Sequence, residues 1–399
     1  MMKRIFLVIL LLDVYLCGAV SAETFFVDAD SPNDPGTGSA SDPFRKIQDA
    51  IDEADDGDTI EVKPGTYTGT GNYAIDPNGK SITIRSTNPN EPNITKGTVI
   101  DPSGSGRIFI FQNNEDANCI IAGLTLTGGY TDGLGGAIYC NNSSPSIKRC
   151  IITDNNGVWG GGGIYCYQAD PNIVNCLITA NTTSASGGAI KCTAGSKPIL
   201  QNCTISANYA NWQGDGIYFY DSNAVVRNCI IWANGQEEIR VDDCTPSINY
   251  SDIRNGWSGT GNLNQDPCFV SFDPNGNPMG WDFHLQSVYG RWDVNSSSWV
   301  SDSNTSPCID AGDPNSDWNG EPWANGKRIN MGVFGGTEQA SKNGNPADFD
   351  IDGSVNFNDY ASFSGKWRYQ QQCIEDLTLD AIVDYNDLAV FTENWLWQK

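Results

Sequence analysis

Asp348, Asp350, Asp352, Asn356 and Asp359 stand at positions 1, 3, 5, 9 and 12 of one short stretch, with Gly353 at position 6 and Ser354 at position 7. Side-chain oxygens at those offsets, a glycine at the sharp turn and a backbone carbonyl after it form the donor set of a calcium loop. The pattern returns 28 residues on as Asp376, Thr378, Asp380, Asp384 and Asp387, with Ile382 offering the carbonyl. Thr378 replaces a carboxylate and Ala381 replaces the glycine, so the second loop should hold its ion more weakly. Each loop runs into a segment with apolar residues at helical spacing, Tyr360, Phe363 and Trp367 in the first and Leu388, Phe391 and Trp395 in the second. Two short helices packed through those stripes, with Ca2+ fixing the loops, are the expected unit.

Acid–base chemistry is thinly represented elsewhere. His284, the one histidine, sits in WDFHLQ and reads as structural. Asp242 and Asp243 are adjacent, so in a strand they point to opposite faces, while at a turn they could cooperate. Lys148, Arg149, Lys191, Arg227 and Arg240 are the basic candidates for proton abstraction; outward, solvated charges account for them more simply. Lys148 and Arg227 each precede a cysteine by two residues and so share a column.

Aromatic residues form the more suggestive pattern. Tyr139, Tyr165 and Tyr218 occupy one recurring position, with Lys191 in place of the third member, and Trp159 and Trp212 each stand two residues before a glycine motif. Rows of exposed rings suit the apolar faces of sugars and mark interaction surfaces. Packing between successive repeats beneath the tryptophan-bearing loops is the other reading.

What must position these residues is a repeat. GGAIYC ends at Cys140, GGGIYC at Cys166, GGAIKC at Cys192 and GDGIYF at Phe219, a period near 26. A second column holds Leu124, Cys150, Cys176, Cys203 and Cys229, and Asn155, Asn181, Asn208 and Asn234 follow the four cysteines at a spacing of five. Such periods mean stacked units. Apolar residues alternate within each unit, as Ile164 with Cys166, and β-branched residues dominate, which is strand periodicity. Several short strands per unit, broken by Gly, Asn and Pro, predict one coil of a parallel β-helix, with equivalent residues about 4.8 Å apart.

Stacked parallel strands hold their Cβ atoms a strand spacing apart, wider than the roughly 3.8 Å of a disulfide. The cysteine columns therefore favour reduced thiols packed as small hydrophobes over a disulfide framework. Asparagines stacked at a turn can bond one another and the turn backbone. Ser41 or Asp42, with Pro43 in the first turn, is the expected cap of an N-terminal helix. Phe44, Ile47, Ile51 and Ala54 would be its buried face, closing the open end of the solenoid.

Residues 23–265, with ETFFVDADSPNDPGTGSASDPFRKIQDAIDEADDGDTIEVKPGTY at their start, resemble the right-handed parallel β-helix superfamily that includes pectate lyases. The GGAI tetrapeptides are also similar to repeats of polymorphic outer-membrane adhesins. Residues 266–340 resemble a choice-of-anchor Q region through SPCIDAG at Ser306–Gly312 and NMGVFGG at Asn330–Gly336; Cys268 and Cys308 there could pair. Residues 341–399, with Asp at position 12 of each loop, resemble a type I dockerin, which implies docking onto a cohesin-like scaffold or surface protein. Phe357-Asn358 and Tyr385-Asn386 at positions 10 and 11 lack the hydroxyl pairs of many cellulosomal dockerins. The superfamily's lyases combine calcium with a Lys or Arg base, and its hydrolases use clustered aspartates; neither signature is present here. The implied function is binding or processing of extracellular polysaccharide, the alternative a non-enzymatic adhesin-like surface protein.

Lys3 and Arg4 before an apolar run, with Val20-Ser21-Ala22 after it, predict a secretory signal over 1–22 and a cleaved, extracellular or cell-surface protein. Tyr15 and Leu16 before Cys17 disfavour a lipoprotein signal. No later segment is long and apolar enough to span a bilayer. Asp plus Glu number 48 against 23 Lys plus Arg, which argues against nucleic acid as a partner.

Overall fold

The computed structural model describes residues 22–273, 280–345, 347–350, 354–370, 373–378 and 381–396. The expected signal segment thus lies, apart from Ala22, outside the described residues, as do Asp352, Gly353 and Asp380.

The alternating apolar residues form short strands that stack in register into a right-handed parallel β-helix with sheets of nine, eight, six and four strands. One coil passes through Ile164–Tyr167 in the six-strand sheet, Asn172–Val174 in the nine-strand sheet, Leu177–Thr179 in the eight-strand sheet and Thr182–Thr183 in the four-strand sheet. Ile138, Ile164, Ile190 and Ile217 pair in one file and are fully buried. At about 1.5–3 kcal/mol for each buried side chain of this size, such files dominate the stability of the stack.

Cys140, Cys166 and Cys192 stack in the adjacent inward file and Phe219 continues it. All twelve cysteines of the described residues are free thiols. Cys176 and Cys203 each lie about a hydrogen-bond length, 3.4 to 3.5 Å, from the carbonyls of Val174 and Gln201. Burial pushes the Cys176 and Cys229 thiols well above their ordinary range, which keeps them protonated and unreactive. Cys268 and Cys308 are not bonded to each other; Cys308 Sγ donates to Asp252 Oδ2 at 3.1 Å.

The asparagine file is a continuous ladder. Asn155 Nδ2 donates to Asn181 Oδ1 at 3.0 Å, Asn181 to Asn208 at 3.0 Å and Asn208 to Asn234 at 2.8 Å. Each of these amides also reaches backbone carbonyls of its own and the preceding coil, as Asn181 does to Thr179 and Ile152.

The N-terminal helix, α1 (Ile47–Glu53), starts later than its expected cap. Lys46 occupies the cap position without a side-chain capping bond, and Asn72 Oδ1 accepts from Ile47 N at 2.9 Å instead. Asp42 is engaged by Asn33 and Thr37, and Phe44 is in extended backbone bridged to Val27, so Pro43 does not open a helix. The expected apolar face is nevertheless buried: Phe44, Ile47, Ile51 and Ala54 all join the main core. A second short helix, α2 (Pro92–Gly97), follows the third coil's nine-strand segment.

Beyond the last solenoid strand, Phe269–Ser271 pairs antiparallel with Asp282–Leu285, and Arg291–Asp293 with Ser298–Val300. This lobe packs Trp281, Phe283 and Met331 against outward residues of the eight-strand sheet, among them Leu177 and Ile230. A second asparagine file fastens it. Asn175 donates to the Val333 and Gly335 carbonyls at 2.9 and 2.8 Å, Asn202 to Asn330 O at 3.1 Å, and Asn228 to Ser316 Oγ at 3.0 Å.

The two helices expected near the C-terminus are α3 (Phe357–Gly365) and α4 (Tyr385–Glu393), each opened by a capping box, at Asn356 and Asp384. Phe363 and Phe391 stack between them at 5.3 Å.

Candidate functional site

The outward face of the six-strand sheet gathers the recurring aromatic position. Strand register aligns Ile110, Tyr139, Tyr165, Lys191, Tyr218 and Arg240 in one column. Period-two alternation puts Ile164 and Cys166 inward and Tyr165 outward. Outward does not mean uncovered here. Tyr165 is 6 % exposed, its ring stacked on Tyr139 at 5.8 Å and its hydroxyl 2.9 Å from Thr193 Oγ1. Tyr139 and Tyr218 are half-buried.

Cations are threaded through this column. The Arg107 guanidinium lies 4.9 Å over the Tyr139 ring while its Nε donates to Leu134 O at 2.7 Å. Lys191 Nζ is 5.8 Å from the Tyr218 ring and 3.3 Å from the Trp159 carbonyl, and burial lowers its pKa. Tyr218 donates to Asp242 at 3.0 Å; burial and that carboxylate push its hydroxyl up to about 12.

The tryptophans stand proud of the column. Trp159 is 66 % and Trp212 77 % exposed. Their backbone amides bond Gly133 O and Ala185 O, the same loop position on coils two apart, so their backbone anchors are set roughly 10 Å apart along the solenoid axis. Tyr167 and Tyr220, two residues beyond Tyr165 and Tyr218, are also exposed on this face. Period two from Tyr165 and Tyr218 would have found them; Arg107, outside any repeat, left no such signal.

The other basic and acidic residues are scattered. Lys148 and Arg227 do share a column, in the nine-strand sheet, but three coils and about 14 Å apart. Arg227 is bound to Gln201 Oε1 at 2.8 Å. Asp242 is paired with Arg240 at 2.8 Å, and that hydrogen bond holds its carboxyl below the ordinary value. Asp243 is exposed at a turn with φ of 57°, so the two aspartates form no acid–base pair. His284 is buried, 2.5 Å from Asp282 by Nδ1 and stacked on Phe334 at 3.6 Å.

In the first acidic loop, Asp348, Asp350 and Asp359 bring carboxylate oxygens within 4.8 Å of one another. Like charges at that range repel, and a hard cation with oxygen ligands relieves the repulsion. Asp359 accepts from Phe349 N at 2.6 Å and Asn356 N at 2.9 Å, while Asn356 Oδ1 accepts from Asn358 N. Ser354, at the carbonyl position, is half-buried. In the second loop Asp387 accepts from Thr378 N and Asp384 N at 2.8 and 2.7 Å, and Asp376 from Ala381 N at 2.8 Å. Ala381 adopts φ of 68°, the conformation that favours the missing glycine; Ile382 beside it is exposed. The donor sets fit calcium, the first more fully than the second.

The family model described as "Right handed beta helix region" matches residues 109–271. No curated protein matches the chain. Among solved structures, a pectate lyase, Pel9A, is similar at 16 % identity and a TM-score of 0.35, over 79 % of this chain and 97 % of its own. A pectin methylesterase from carrot is similar at 13 % identity and a TM-score of 0.34, over 57 % of this chain and 70 % of its own. A rhamnogalacturonan lyase is similar at 12 % identity and a TM-score of 0.34, over 58 % and 68 %. Among the described residues no helix is long and apolar enough to cross a membrane.

Proposed function

We propose that this is a secreted β-helix protein that holds an extracellular polysaccharide along the outer face of its six-strand sheet and is attached through a calcium-dependent, dockerin-like module. The observation that carries the reading is the pair Trp159 and Trp212, solvent-exposed at one loop position two coils apart beside a strip of tyrosines and cations. Flat rings at a fixed spacing on a rigid face accept successive sugars of a linear chain, while Arg107, Lys191 and Arg240 offer hydrogen bonds to hydroxyls or acidic groups. In this reading the choice-of-anchor Q-like region, residues 266–340, braces the solenoid. The acidic module, residues 341–399, holds Ca2+ and docks onto a cohesin-like surface or scaffold protein.

Affinity electrophoresis of the mature protein through a panel of soluble polysaccharides tests this. Trp159→Ala and Trp212→Ala should each lose retardation on the same polymer at an unchanged melting temperature. Tyr165→Ala, which removes a buried stacked ring, should lower the melting temperature instead. Retardation on no polymer, or retention by the double tryptophan variant, would refute glycan binding at this face and leave the adhesin-like alternative.

A catalytic version has one observation in its favour, the amine of Lys191, which burial biases toward the neutral form a general base requires. It predicts release of unsaturated uronate from a bound polymer, abolished in Lys191→Met. Binding without release would mark the face as a binding surface only.

A further inference from the structure

We infer that the cleft between the C-terminal lobe and the solenoid binds a small organic carboxylate with a compact apolar body, at a site separate from the six-strand face. The cleft has room for about 80 Å³ and lies between α2, the turn holding Arg149 and the lobe strand Asp282–Leu285.

Its walls are apolar, from Ile151, Leu177, Phe283 and Phe334. Its polar lining carries donors and one carboxylate, Asp282. Trp281 is 9 % exposed, lines the cleft, and its Nε1–H has no partner among the described residues. Lys96 and Arg149 line the same cleft, and among the described residues neither side chain has a hydrogen bond or ion pair. Lys96 is within electrostatic reach of Asp282, whose carboxyl it helps to hold below its ordinary value, and Arg149 adds a second positive charge in a chain of net charge −25. The acid facing them, Asp282, is already bound by His284 Nδ1, whose Nε2 is 3.2 Å from Gln339 Oε1.

Chain context explains why the cleft is there. Arg149 immediately precedes Cys150, and the residues before the next three column cysteines are Asn175, Asn202 and Asn228. All four take positive φ, between 50° and 53°. The asparagines use their side chains to fasten the lobe. At Arg149 the file changes from an amide that bonds the lobe to a cation that does not, and the lobe stands off from the solenoid. Arginine there keeps the strain of a left-handed backbone without the asparagine bond that offsets it in the next coils.

The size sets the ligand class. The cleft is smaller than the roughly 150 Å³ cavity that closes round a benzene ring, so one ring would enter with an edge left toward solvent. The half-exposed Arg149 and exposed Lys96 are then available to its carboxylate, and aliphatic or aromatic carbon meets Phe283 and Phe334.

Benzoate, benzyl alcohol and galacturonate are suitable probes, titrated into the full chain labelled with 15N-tryptophan. Benzoate should bind saturably and shift one indole resonance, the one missing in Trp281→Phe; benzyl alcohol and galacturonate should bind at least about tenfold more weakly, for want of charge and of apolar surface respectively. Arg149→Gln should weaken benzoate about tenfold at an unchanged melting temperature. Equal affinity for benzoate and benzyl alcohol, an unaltered Trp281 resonance, or no saturation up to about 10 mM would each overturn the assignment. These outcomes do not depend on polysaccharide binding, because the six-strand face is not probed.

Discussion

Asn234 Nδ2 donates to Glu238 Oε2 at 2.6 Å, and with that bond the ladder of stacked asparagines ends on a carboxylate. The next coil has no asparagine to accept the final amide, so Glu238 does, while its other oxygen meets Arg254 Nε at 2.6 Å. At the opposite end Asn155 Oδ1 accepts from Gly129 N at 2.8 Å. The ladder amides are thus bonded at both ends, and removing an inner rung harms more than one coil.

Asn208→Ala tests that cooperativity. The substitution takes the acceptor from Asn181 N and Asn181 Nδ2 and the donor from Asn234 Oδ1. With about 1–3 kcal/mol for each buried group left unmade, the loss should be several kcal/mol. Thermal melting should therefore fall far below that of Asn211→Ala, which alters an exposed loop asparagine. Equal melting temperatures would show that the ladder adds nothing beyond packing.

Glu321 makes stability depend on pH. Its Oε1 accepts from Asn330 N and Gly336 N at 2.7 and 2.8 Å, its Oε2 is buried without a hydrogen bond, and burial raises its pKa from 4.5 to about 8. Burial likewise raises Glu238 to about 7 and Asp252 to about 6. For Glu238 the close Arg254 contact argues for a smaller rise, so Glu321 is the clearer case. An acid whose folded value exceeds its unfolded one binds more protons when folded. Its contribution is complete below the unfolded value of 4.5 and is lost as pH climbs through the folded value of about 8. The melting temperature should thus decline from about pH 5 to about pH 9, and Glu321→Gln should flatten that slope. A slope that Glu321→Gln leaves intact would assign the effect elsewhere.

Repetition made much of this fold legible. The cysteine and asparagine columns recur at fixed spacing because each coil solves the same packing problem, and alternation named inward side chains of the repeat such as Ile164 and Cys166. What the sequence concealed depended on distant neighbours. Asn72 caps α1 from 25 residues away, so Ser41 and Asp42 beside the helix looked the better caps. Alternation reports the direction of Tyr165 but not its cover, which Tyr139 and the following coil supply. Asn175, Asn202 and Asn228 stood in plain view one residue before each cysteine, yet their role exists only because residues 266–340 fold back over them.

Calcium should act unequally on the two acidic loops. The first brings Asp348, Asp350 and Asp359 together and the second places Thr378 against Asp387, so the first has more negative oxygen to offer. Both loops lead into helices whose aromatic residues touch: Phe357 meets Trp395 edge-on at 5.1 Å, and Tyr385 meets Trp367 at 5.0 Å. Loosening either loop should therefore alter tryptophan emission. In the full chain, chelation should shift that emission and open residues beyond 345 to protease, and added calcium should reverse both. Asp359→Ala should abolish the higher-affinity step of a calcium titration, and Asp387→Ala the weaker one. Emission and proteolysis unchanged by chelator would remove calcium from the description, and the dockerin-like attachment with it.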